Sequence, residues 1–157
     1  MAADPHVPVA PDLRQLAEEF VTYAVGDAES FPHYDSVTLS IGGQTVVSID
    51  NIAAALSNRD IWKTCPADWE GYAAGTCPVD ILGPLRWPAV NNEVLVYSGE
   101  YAEVTCAPTM LGPLPEGRRV VLQPSEEMRT CASDFALMLV ADDQGRLRSV
   151  DLTLSNP

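Results

Sequence analysis

Apolar residues recur at three- and four-residue intervals in one stretch of the chain and at alternate positions in several others. Leu13, Leu16, Ala17, Phe20, Val21 and Ala24 form a single stripe at helical spacing, with Glu18 and Glu19 off it. Asp12 is a suitable N-cap, Gln15 completes a capping-box-like pair three residues later, and Gly26 supplies a stop. The pattern predicts an amphipathic helix opening the folded region. After a loop through Phe31-Pro32-His33-Tyr34, the period changes to two. Val37, Leu39 and Ile41 alternate with Thr38 and Ser40, and Gly42-Gly43 separates them from Thr45 to Ile49, which predicts a hairpin. Asp50 or Asn51 then caps a short helix carrying Ile52, Ala55 and Leu56, followed by a turn around Ile61-Trp62.

Strand patterns return from Glu93 onwards. Val94 to Tyr97 and Tyr101 to Cys106 flank Ser98-Gly99-Glu100; Arg118 to Gln123 follows a proline-rich loop (Pro108, Pro113, Pro115). Phe135 to Ala141 is the most apolar run and reads as a central strand buried on both faces. Asp142-Asp143-Gln144-Gly145 turns it into Leu147 to Leu154. Between the two patterned halves lies a joint, Thr64-Cys65-Pro66 through Thr76-Cys77-Pro78 to Gly83-Pro84-Leu85-Arg86-Trp87-Pro88, in which proline after each cysteine disfavours helix. Residues 1 to 11 carry three prolines and no periodicity and read as a disordered tether, leaving 12 to 157 as a single domain. Helix, hairpin, short helix and a run of strands predict an α+β fold: a curved antiparallel sheet of about five to seven strands packed on the N-terminal amphipathic helix.

Composition narrows the partners. The formal net charge is −13, Lys63 is the only lysine, and the arginines are scattered, with Arg118-Arg119 as the one adjacent pair. An acidic chain without a basic stripe argues against nucleic acid and anionic lipid surfaces. No apolar run reaches the ~20 residues needed to span a bilayer. Ala2-Ala3-Asp4-Pro5 and the tether match what remains when an export signal or lipoprotein anchor is removed. Cys65, Cys77, Cys106 and Cys131 allow three pairings and contain no C-x-x-C, which argues against zinc. We expect Cys65–Cys77 and Cys106–Cys131, the first closing a loop whose crosslink contributes up to ~3 kcal/mol. Both imply a secreted or cell-envelope protein; four reduced thiols would instead imply the cytoplasm.

The element order from residue 12 to 154 resembles the NTF2-like (SnoaL-like, cystatin-like) superfamily, whose members set helices against a strongly bent sheet. The resemblance implies a conical pocket between helix and sheet, where an acid or histidine works in the enzymes of that group. Candidates for such a role are Tyr23, His33, Tyr34, Asp35 and Asp134, with His33 and Asp35 as a possible general-base pair and Asp134 as a pocket acid. The arginine-for-lysine usage resembles that of high-GC actinobacterial proteins. Val104-Thr105-Cys106-Ala107-Pro108-Thr109 is similar to a segment of the subtilisin-inhibitor-like proteins, which would imply a secreted protease inhibitor; the first ninety residues have no counterpart there.

Trp62, Trp69, Tyr72 and Trp87 cluster around the joint and form the best candidate contact surface for a protein, a peptide or a small apolar ligand. No phosphate-binding glycine loop, dinucleotide fingerprint, zinc-protease helix or nucleophile elbow occurs. The expectation is a non-catalytic binding module without a cofactor or metal. An NTF2-like pocket enzyme or ligand binder is the alternative, and exposed strand edges would suit a homodimer.

Overall fold

A computed structural model describes residues 9–65, 78–91, 94–98, 104, 115–125, 127, 129–131 and 133–155. Helix α1 spans Pro11–Ala24 and buries Leu13, Leu16, Ala17, Phe20, Tyr23 and Ala24, the predicted stripe with Tyr23 in place of Val21. Two details differ from expectation. Ala10, not Asp12, is the N-cap, and Pro11 occupies the first turn, where a missing N–H is harmless. Asp12 instead makes a two-pronged ion pair with Arg118, 2.7 and 3.0 Å. Val9 is also buried, so the ordered core begins before the predicted end of the tether.

Strands β1 (His33–Ile41) and β2 (Gln44–Ile49) form the expected hairpin, with Gly42 and Gly43 both at positive φ in the turn. Strand β1 starts earlier than predicted, because His33 already pairs with Leu147. The short helix α2 (Ile52–Ala55) and a single 3-10 turn at Arg59–Trp62 follow. Next come β3 (Lys63–Thr64) and β4 (Val79–Asp80), a two-stranded antiparallel ribbon that brackets the segment between Cys65 and Cys77. Helix α3 covers Gly83–Val90, a segment that the sequence pattern assigned to the joint without predicting a helix. Pro84 falls in its first turn, which tolerates proline, and Pro88 lies inside, so the helix stays short. Leu82 and Leu85 anchor it in the core.

Strands β5 (Val94–Ser98), β6 (Arg118–Pro124), β7 (Phe135–Ala141) and β8 (Leu147–Leu154) complete an open six-stranded sheet in the order β2-β1-β8-β7-β6-β5. The α+β class and the N-terminal helix on a curved sheet are therefore as expected. The sheet is not wholly antiparallel, however: β1 and β8 run parallel at its centre. Of the predicted strand at 101–106 only Val104 is described; it is buried and outside any strand.

Strand β7 is buried along its whole length. Phe135, Leu137, Leu139 and Ala141 join α1, α3 and the aromatic cluster in one core. The opposite sheet face is also covered, and it carries a polar knot. The Asp151 carboxylate accepts from Ser40 Oγ (2.6 Å), Gly43 N (2.7 Å) and Thr153 Oγ1 (3.2 Å), tying β8 to the hairpin.

Candidate functional site

The last core-facing row of the sheet ends in open space. Phe135 pairs with Leu154 across β7 and β8, and continuing the β6–β7 register sets Pro124 beside Phe135. These three residues line a cleft of about 580 Å³. Gly83, Pro84, Trp87 and Pro88 of α3 form one wall, and Glu127, Thr130, Ser133, Asp134 and Ser155 form the other.

Local chemistry fixes both walls. Asp80 accepts from Leu82 N (3.1 Å) and pairs with Arg86 (3.0 Å), so it organises the start of α3. Leu85 then faces the core, while Trp87 stands out at 68% exposure. On the other side, Ser133 N and Asp134 N donate to Thr130 O, at 3.2 and 3.0 Å, and the Thr130 and Ser133 hydroxyls meet at 2.7 Å. The Ser155 hydroxyl donates to the carbonyl oxygens of Cys131 (2.7 Å) and Asp134 (3.2 Å), stitching this turn to the end of β8. Asp134 is buried; one of its oxygens accepts from Phe135 N at 2.9 Å and lies 3.8 Å from Arg129 Nε. Arg129 Nε also donates to Pro124 O, 3.1 Å, which closes the turn after β6. The cleft therefore joins an apolar floor, a half-free indole and convergent oxygen atoms.

Two residues from different predictions, Trp87 and Asp134, meet here. The others do not. Trp62 is fully buried: its Nε1 donates to Tyr23 Oη (2.9 Å), and its ring packs edge-on against Phe20 and Tyr23. It is core rather than contact surface, because the 3-10 turn points it under α1. Tyr23 is equally buried, donating to Leu56 O at 2.6 Å beneath the Arg59 guanidinium, and so holds α1 to the following turn rather than serving a pocket. Trp69 and Tyr72 lie outside the described residues.

His33 pairs with Leu147, which itself pairs with Ala141, the far end of β7 from Phe135. At about 3.3 Å per strand residue, His33 stands ~20 Å along the sheet from the cleft. Its Nδ1 lies 2.7 Å from Tyr34 O, and Asp35 is exposed. The structure thus assembles no acid–base pair from His33, Asp35, Tyr23 and Asp134. Tyr34 packs its ring against Arg148 and Arg146 instead.

Glu127, Thr130, Ser133, Ser155 and the prolines were not legible as site residues. The 124–134 stretch has no period, and only the return of β8 beside β7 brings Ser155 to it. A second, more polar cavity of about 460 Å³ lies at the opposite end, between Ser36, Glu116, Arg118, Asp143 and Arg148. Arg118 there is held by Asp12.

Among the described residues no cluster of histidines, cysteines and carboxylates suited to a metal occurs, and no helix is long and apolar enough to cross a membrane. Cys65 and Cys131 are both disulfide-bonded; Cys77 and Cys106 lie outside the described residues. No family model, curated protein or solved structure matches this chain.

Proposed function

We propose that this protein is a non-catalytic binding module that takes a partly apolar small ligand in the cleft between α3 and the end of the β6–β7–β8 sheet. The observation that carries the reading is Trp87, an indole left largely in water at the rim of a cavity that also holds Asp134, Phe135 and Leu154. An aromatic side chain that folding leaves unburied keeps apolar area that a ligand can still cover. Scattering of the titratable candidates favours binding over catalysis, since acid–base chemistry needs its groups within hydrogen-bond reach of one another or of a substrate.

We place the protein outside the cytoplasm. The β3–β4 ribbon supports a Cys65–Cys77 bridge: Thr64 pairs with Val79, which brings Cys65 beside Pro78, the residue that follows Cys77. Cys106–Cys131 is the matching second bridge. An NTF2-like ligand binder remains the related alternative and would use the same cleft, which opens on the sheet face that α1 covers. The protease-inhibitor alternative rests on residues 104–109, of which only Val104 is described.

The test is titration with N-phenyl-1-naphthylamine, a neutral apolar fluorophore. Saturable enhancement at one equivalent is expected, lost in Trp87→Ala while the thermal midpoint stays within about 2 °C, as for an exposed side chain. No enhancement, or equal binding by the variant, would overturn the assignment.

A further inference from the structure

We infer that the ligand of this cleft is an organic cation, an ammonium group attached to an apolar body. The inference rests on the reading of the cleft as a binding site and names its chemistry. The charged side chains among the described residues lining the cavity are Glu127 and Asp134, both acids. Arg129 stands 3.8 Å from Asp134 on its buried side and offsets that one carboxylate, with its side chain only 13% exposed. The exposed Glu127 then leaves the site one negative charge in excess.

Four further observations point the same way. Trp87 offers an indole face, the aromatic surface that best attracts a cation. The Ser133, Thr130 and Ser155 oxygens add negative ends of dipoles around the same space. Phe135, Leu154, Pro84 and Pro88 exclude water from the body of the ligand, and partial desolvation strengthens a cation–π contact. A whole-chain charge of −13 repels anions and concentrates cations at the surface.

The experiment compares benzyltrimethylammonium with its neutral near-isostere 2,2-dimethyl-3-phenylpropan-1-ol and with benzenesulfonate, each by isothermal titration into the full chain. The cation should bind at least about fivefold more tightly than the neutral compound, and the anion should not bind detectably. Glu127→Gln should cut the cation preference at least about twofold, and the preference should shrink as salt rises. Trp87→Leu keeps apolar bulk, so it should retain the neutral ligand and lose the preference. Equal affinity for cation and neutral compound overturns the inference while leaving the cleft as a binding site. Binding of the naphthylamine without any binding of the cation does the same. Failure of all four probes removes the cleft reading as well.

Discussion

Asp12 and Asp142 are set below the ordinary carboxylate value of 3.8 by different surroundings. For Asp12 the main cause is the hydrogen bond from Arg118. For Asp142 burial pushes upward, but the amides of Arg146 and Gln144 and the Arg146 guanidinium outweigh it. A carboxyl whose pKa falls on folding contributes stability that is present above its unfolded pKa and lost as pH drops through the folded one. Asp12→Asn should therefore be less stable than wild type at pH 7, with the difference closing below about pH 4. A difference in melting temperature that does not change with pH would show that the ion pair is not the cause. Tyr23→Phe tests the buried side of the molecule. It strands Trp62 Nε1–H and the Leu56 carbonyl without their hydroxyl partner, so chemical denaturation should register a loss of about 1–3 kcal/mol. Each of these residues was visible in the sequence as an acid or an aromatic. Its partner, 106 residues away for Asp12 and 39 for Tyr23 and Trp62, was not.

At the scale of elements, the polar–apolar period located α1 and strands β5 to β8 almost to the residue, and the β1–β2 hairpin apart from the first four residues of β1, because each buries one face or both against a single core. Helix α3 escaped because its two prolines mask a period that holds Leu85 and Pro88 inward. Its neighbours, not its intrinsic propensity, make it a helix. The parallel pairing of β1 with β8 escaped for another reason: alternation states which face is buried and says nothing about which strand lies alongside. Asp151 seals that junction. Asp151→Ala should cost about 3 kcal/mol, since it leaves Ser40 Oγ, Gly43 N and Thr153 Oγ1 without their acceptor inside the protein. Naphthylamine binding at the distant cleft should survive, measured below the new melting point. Loss of binding at constant fold would mean that the two ends of the sheet are coupled.

For the whole molecule, a mixed sheet that joins residues more than a hundred positions apart predicts slow refolding, and the two bridges proposed above would make it depend on oxidation. Intact mass of the denatured, unreduced protein should be lighter by four hydrogens and should resist alkylation; four alkylated thiols would remove both bridges and the extracytoplasmic placement. The α+β class, most element boundaries other than those of α3 and the start of β1, the inward stripe of α1, the double burial of β7 and the acidity that disfavours anionic partners are properties of the chain read locally, since each depends on the period or sum of its own side chains. Strand order, the ion pair of Asp12, the interior position of Trp62 and the meeting of Trp87 with Asp134 depend on which distant segments become neighbours. Side-chain spacing carries no record of that. It is decided by the place of β8 between β1 and β7, which also sets Leu154 and Ser155 in the cleft.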